Sequence, residues 1–167
     1  YAAPTMVTDG AMVVAYFGPE GLYGYDVDGN LKWKVDVGKF PLLGMGTGTS
    51  PVLFENLVII QRDENEGKES LLLAYDIKTG AQLWAYDPAI DRAKGNDACC
   101  DVVNRGVAAW NGKIYLGALD GRLIALDGKT GKVMWSKQTT DTNLPYTITG
   151  VPRIVKGKVV IGNGGAE

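Results

Sequence analysis

Tryptophan falls at positions 33, 84 and 135, a spacing of 51 residues each time, and the residues before each one repeat with it. The run Leu22-Tyr23-Gly24-Tyr25-Asp26-Val27-Asp28-Gly29-Asn30-Leu31-Lys32-Trp33 returns as Leu72-Leu73-Ala74-Tyr75-Asp76-Ile77-Lys78-Thr79-Gly80-Ala81-Gln82-Leu83-Trp84. It returns again as Leu123-Ile124-Ala125-Leu126-Asp127-Gly128-Lys129-Thr130-Gly131-Lys132-Val133-Met134-Trp135. A fixed period of this length restricts a chain to architectures made of stacked, equivalent units. In each copy an alternating strand ends at an Asp whose side chain can hydrogen-bond turn backbone two residues on. A Gly then supplies positive φ, and a second alternating strand carries the Trp.

Two further strands precede each pair. In the third copy they span 106–110 and 113–118 around Asn111-Gly112, a strong hairpin signal. The first copy offers 4–7 and 12–16 around Asp9-Gly10, and the second offers 51–54 and 57–61 around Glu55-Asn56. A fourth copy begins at 152–155, turns at Lys156-Gly157 and runs through 158–161. Four short antiparallel strands per period predict an all-β chain of β-propeller blades, with three to three and a half blades forming a partial ring. The repeats divide a single domain, 1–167, at about 1–48, 49–104, 105–148 and a partial 149–167. Helices are a poor alternative because Gly and Asp-Gly turns interrupt every candidate; a sandwich remains open but leaves the strict period unexplained. Trp33, Trp84 and Trp135 are expected to lie buried in equivalent places between blades.

Such a count does not close a ring, and open blade faces and sheet edges are aggregation hazards. The expected partner is therefore the rest of a larger propeller or other copies of the chain, most simply a homodimer.

Composition narrows the function. Seventeen basic against 19 acidic residues give a formal net charge of −2, which argues against a nucleic-acid partner. No run of eighteen apolar residues is present, so no membrane-spanning helix is expected. No leader is visible and the first residue is Tyr1, which predicts a chain processed, trimmed or excised from something longer. Histidine is absent, removing the commonest general base and metal ligand. Chemistry must then come from carboxylates, arginine, a thiol or disulfide, or a bound cofactor.

Two irregularities interrupt the repeats. The second copy carries an insertion, Arg62-Asp63-Glu64-Asn65-Glu66-Gly67-Lys68-Glu69-Ser70, whose dense charge reads as a solvated hairpin tip. Calcium binding by Asp63, Glu64 and Glu66 is the weaker reading. The other irregularity is the linker 87–104, which holds Cys99 and Cys100, the only cysteines in the chain. A disulfide between neighbours closes a strained ring, a flat polarizable plate against which an aromatic cofactor can lie. Two buried free thiols, or pairing with other chains, remain open on these residues alone. Arg105 adds a planar fork of donors suited to carbonyl and carboxylate oxygens. Loops between blades surround the mouth of a propeller, where ligands bind.

The run Asp97-Ala98-Cys99-Cys100-Asp101-Val102-Val103-Asn104-Arg105-Gly106-Val107-Ala108 resembles the quinoprotein alcohol dehydrogenases, methanol dehydrogenase large subunits among them. So do Pro145-Tyr146-Thr147-Ile148-Thr149-Gly150-Val151-Pro152-Arg153 and Ile161-Gly162-Asn163-Gly164-Gly165-Ala166-Glu167. The resemblance covers about 72–167 and implies a propeller that holds pyrroloquinoline quinone and a calcium or lanthanide ion. It implies that Cys99 and Cys100 form a vicinal disulfide on one quinone face. Arg105 and Thr149 would hydrogen-bond the quinone's oxygens and carboxylates, Gly164, Gly165 and Ala166 would let backbone approach it, and Glu167 would ligate the metal. Periplasmic oxidation of a small alcohol follows as the implied activity of a complete site.

The departures from that pattern are informative. Gly48, in Gly48-Thr49-Ser50-Pro51, stands where the family has a quinone-contacting Glu. The family's catalytic Asp, its second metal ligand (an Asn), its Trp on the other quinone face and a nearby basic residue have no counterpart here. Residues 1 to about 70 look like the cofactor-free repeats of outer-membrane assembly lipoproteins. Two functions are therefore expected to compete: a segment of a quinone-dependent alcohol dehydrogenase that does not turn over alcohol unaided, and a non-catalytic propeller scaffold or interaction module.

Overall fold

A computed structural model describes residues 4–39, 47–63, 70–91, 94, 97–98 and 104–165. Three four-stranded antiparallel sheets follow one another along the chain, each in plain up-and-down order. The first contains β1 (Val7–Thr8), β2 (Met12–Tyr16), β3 (Leu22–Asp26) and β4 (Leu31–Val35). The second contains β5 (Val52–Phe54), β6 (Leu57–Asp63), β7 (Ser70–Asp76) and β8 (Gln82–Tyr86). The third contains β9 (Ala108–Trp110), β10 (Lys113–Gly117), β11 (Arg122–Asp127) and β12 (Val133–Gln138). Two short pairs complete the fold: β13 (Tyr146–Thr147) with β16 (Gly164–Gly165), and β14 (Arg153–Val155) with β15 (Lys158–Val160). The first strands β1, β5, β9 and β14 neighbour one another in turn, as the inner strands of successive propeller blades do.

The expected hairpins form where turn chemistry demanded them. Glu55, Asn111 and Lys156 adopt φ of 54°, 47° and 48°, the left-handed conformation that a two-residue turn needs. The outer hairpins are held by the repeated aspartates. Asp76 accepts from the Thr79 amide (2.9 Å) and hydroxyl (2.9 Å), and Asp127 accepts from the Thr130 amide (2.8 Å) and hydroxyl (2.8 Å). These bonds, the Thr130 hydroxyl first among them, hold the Asp127 carboxyl below its ordinary range. A register shift recurs at the same place in all three outer hairpins, between Gly24 and Tyr25, Ala74 and Tyr75, and Ala125 and Leu126.

Alternation within the strands explains why the second blade reads as nearly continuous apolar sequence. Val58 and Ile60 face the first blade, packing with Val14, Tyr16, Leu22 and Trp33. Leu57 and Ile59 face the third, packing with Ile114, Leu116, Ile124 and Leu126. Each tryptophan that has a following blade locks onto it. The Trp33 indole N–H donates to the Ile77 carbonyl (2.9 Å) and that of Trp84 to the Gly128 carbonyl (3.1 Å), both 44 residues ahead. The rings press on Gly80 and Gly131, where a Cβ would come within 2.8 and 2.7 Å of the indole.

Trp135 departs from the expectation. It is 40% exposed, against 9% for Trp33 and 8% for Trp84. Among the described residues no four-stranded sheet follows the third blade; Ile154 of β14, Val159 of β15 and Ile161 just after it pack against its inner strands, and β12 stays exposed. The insertion also departs from a purely solvated tip. Arg62, Asp63 and Ser70 are strand residues that extend β6 and β7 by two rungs, Arg62 opposite Leu71 and Asp63 opposite Ser70. Glu64 and Glu66 lie outside the described residues.

Candidate functional site

Arg105 and Thr149 meet although 44 residues separate them. The Arg105 amide donates to the Thr149 carbonyl (3.1 Å), and its Nη1 donates to the Thr149 hydroxyl (3.0 Å) and carbonyl (3.3 Å). Among the described residues the guanidinium bonds Thr149 through Nη1 alone, so the rest of its exposed donor edge faces outward. Thr149 follows β13, and β13 pairs Tyr146 with Gly165 and Thr147 with Gly164. One side-chain contact and one strand pair thus gather Arg105, Thr149, Gly164 and Gly165. Thr147 and Ile148 are buried beneath, and Gly117 lies so close that a Cβ there would fall 2.5 Å from Ile148 Cγ2. Among the described residues, a Cβ on Gly164 would meet no atom within 4 Å.

Asn104, which precedes Arg105, is the best-anchored polar residue of the region, and the sequence reading did not single it out. Its side-chain amide donates to the Gly117 carbonyl, and its Oδ1 accepts the Gly106 amide (3.1 Å). Its carbonyl accepts the Thr49 hydroxyl, and its own amide donates to Asp63 Oδ2 (3.2 Å). Asn104 and Thr49 are both 3% exposed, so each of these bonds replaces water that cannot enter. Thr49 stands beside Gly48, and that short polar run ahead of Pro51 was the one signal that could have marked it. Asp63 also accepts Ser70 Oγ (2.8 Å) and Gln61 Nε2 (3.2 Å) on its other oxygen. Burial pushes the Asp63 carboxyl up to about 6, and the hydrogen bonds from Ser70, Gln61 and Asn104 pull it back only in part.

The linker that leads to this region is tied down from below. Arg122 pairs with Asp120 (2.6 Å) and reaches the Pro88 carbonyl (2.6 Å), while Lys94 pairs with Asp97 (3.0 Å) and touches the Leu144 carbonyl (3.4 Å). Cys99, Cys100, Ala166 and Glu167 lie outside the described residues, so the expected disulfide, backbone approach and metal ligand are not described by the structure. Among the described residues no group of three or more Cys, Asp or Glu side chains could hold a metal ion. No helix among them is long and apolar enough to cross a membrane.

A succession of four-stranded blades with inner-strand contacts, interlocking tryptophans and a polar cluster on inter-blade loops defines the quinoprotein-type propeller repeat. A family model described as outer membrane protein assembly factor BamB matches residues 1–107 and 71–167, and the chain belongs to that family of propeller repeats. Within it, the relatives of high identity are quinoprotein alcohol dehydrogenases. The quinohemoprotein alcohol dehydrogenase ADH IIB of Pseudomonas putida is 62% identical over 98 residues, 59% of this chain and 14% of that protein. The solved structure of ADHIIG from Pseudomonas putida HK5 superposes with a TM-score of 0.65 at 47% identity, covering 75% of this chain and 18% of the other. The chain therefore spans less than a fifth of the length of these dehydrogenases. BamB of Moraxella catarrhalis superposes with a TM-score of 0.71 at 20% identity, covering 96% of this chain and 43% of the other, a likeness of fold alone.

Proposed function

We propose that this chain forms part of the wall of a pyrroloquinoline quinone site in an alcohol dehydrogenase propeller. The observation that carries the reading is the convergence of Arg105, Thr149, Gly164 and Gly165 on one open surface. The chemistry of that surface fits the cofactor. Pyrroloquinoline quinone is a flat tricarboxylate, and an exposed guanidinium edge steadied by a threonine presents planar, charge-assisted donors to carboxylate oxygens. The glycines leave room for a ring system to approach backbone. Bound there, the quinone would supply a two-electron acceptor for oxidation of a small alcohol. The residues of this chain would hold and orient it: Arg105 and Thr149 at its oxygens, Cys99 and Cys100 as a disulfide plate on one face, Gly164, Gly165 and Ala166 along one edge. Glu167 would be a carboxylate ligand to calcium or a lanthanide. A disulfide between Cys99 and Cys100 would suit an oxidising compartment, the periplasm. The exposed Val133, Met134 and Trp135 of β12 support packing against a further blade, from a longer chain or another copy.

A non-catalytic scaffold is the second reading, favoured by Gly48 at the place of the quinone-contacting acid and by the match of the BamB family model along the chain. Titration of the purified protein with pyrroloquinoline quinone, with and without calcium, separates the two. Saturable binding seen in the quinone absorbance, weakened at least tenfold in Arg105→Ala, is the expected result. No saturable binding, or equal binding in Arg105→Ala, would overturn the cofactor reading in favour of the scaffold.

A further inference from the structure

The second blade's inner hairpin is longer than its counterparts. Strands β6 and β7 have seven residues each, against five and five for β2 and β3, and five and six for β10 and β11. The two added rungs end at Asp63 and Ser70. They reach the segment that precedes Arg105. Asp63 Oδ2 accepts the Asn104 amide, and Oδ1 is fixed by the Ser70 hydroxyl and the Gln61 side chain. The next residue along, Arg105, makes the side-chain contact with Thr149 on which the proposed cofactor wall depends.

We propose that Asp63 is a positioning residue, a latch through which the lengthened hairpin sets the place of Asn104 and hence the direction of the Arg105 guanidinium. A carboxylate accepting a backbone N–H is among the stronger neutral-to-charged hydrogen bonds, and here it acts where Asn104 has no access to water. The remaining bonds of Asn104, to Gly117, Gly106 and Thr49, tie it to the third blade and to the loop before β5. Asp63 is the group that ties it to the second blade. The surroundings also indicate which substitution will be tolerated. Gln61 Oε1 is buried without a hydrogen-bond partner among the described residues. In Asp63→Asn the new amide can donate to that oxygen and to Ser70 while its carbonyl keeps the Asn104 amide. Asp63→Ala offers nothing to either.

The inference rests on the cofactor reading only for its consequence, and the test separates the two. Amide hydrogen exchange on the whole chain is followed at Asn104 and Arg105, with core amides of β2 and β6 as the reference. In Asp63→Ala these two amides should exchange about tenfold faster while the reference amides keep their protection, and in Asp63→Asn they should stay within about twofold of the parent. Unchanged exchange at Asn104 in Asp63→Ala would overturn the latch. Should Asp63→Ala lose protection everywhere, Asp63→Leu decides: it fills the space of the side chain but offers the Asn104 amide no acceptor. Faster exchange confined to Asn104 and Arg105 supports the latch, and no change there refutes it. Pyrroloquinoline quinone affinity is the second readout. It should fall severalfold in Asp63→Ala and recover in Asp63→Asn; equal affinity in all three proteins would refute the link to Arg105. If the parent protein binds no quinone, the cofactor reading fails while the exchange result still judges the latch.

Discussion

Trp84 and Trp135 occupy the same place in successive repeats, so removing each in turn measures what a following blade contributes. Trp84 is 8% exposed, its indole N–H donates to the Gly128 carbonyl, and its ring lies on Gly131. Truncation to Ala leaves a ring-sized void between two blades and a carbonyl without its donor. Large-to-small changes at such sites cost about 3–5 kcal/mol, and the orphaned carbonyl places Trp84→Ala toward the upper end. Trp135 is 40% exposed, touches Tyr115 at 6.1 Å between ring centroids, and makes no cross-blade hydrogen bond among the described residues. It has about two-thirds of the burial of Trp84 to lose and no carbonyl partner, so Trp135→Ala should cost about 1–2 kcal/mol. Urea unfolding followed by far-ultraviolet circular dichroism gives both numbers, with the m-value checking that each transition exposes the same surface. Trp84→Phe supplies the control, since it keeps most of the packing and removes the donor to Gly128. Equal losses for Trp84→Ala and Trp135→Ala would refute the argument that the following blade, and not the indole's contacts within its own sheet, sets the worth of the repeated tryptophan.

Three further outcomes are expected. Because burial raises the Asp63 carboxyl to about 6, its protonated form is favoured in the folded state; the stability it contributes is complete below about 4 and is lost as pH rises to 6. The stability of the parent relative to Asp63→Asn should therefore fall by at most about 3 kcal/mol across that window and stay level above it, and a flat difference would show that the carboxyl titrates normally. Gly117→Ala places a methyl 2.5 Å from Ile148 Cγ2 and should cost about 1–3 kcal/mol in thermal unfolding; an unchanged midpoint would mean that β13 can shift freely. Intact mass without reductant should show Cys99 and Cys100 joined to each other within one chain, and two alkylatable thiols or a covalent dimer would remove the proposed plate.

The repeat, its hairpins and their turns were legible in the sequence because each is decided within a few residues. Asp127 finds its partners at Lys129 and Thr130, and Asn111-Gly112 bends the chain by its own conformational preference, whatever surrounds it. The near-continuous apolar runs of β6 and β7 fit strands buried on both faces. The pairing of Arg105 with Thr149 is different in kind. Both residues were marked by their motifs, but their contact is set by where two blades bring loops that are 44 residues apart. Asn104 and Thr49 escaped notice, and Asp63 drew it only as a weak calcium ligand, for a related reason: a polar side chain looks solvated in sequence until the packing around it excludes water. Charge density made 62–70 read as a tip, while two added rungs of antiparallel pairing carried Asp63 inward, to the Asn104 amide 41 residues on. Trp135 shows the converse. Its sequence environment matches that of Trp33 and Trp84, and local chemistry alone assigns all three to the core. Whether the indole is buried depends on a carbonyl and a glycine in the next blade, and those are properties of the assembled fold.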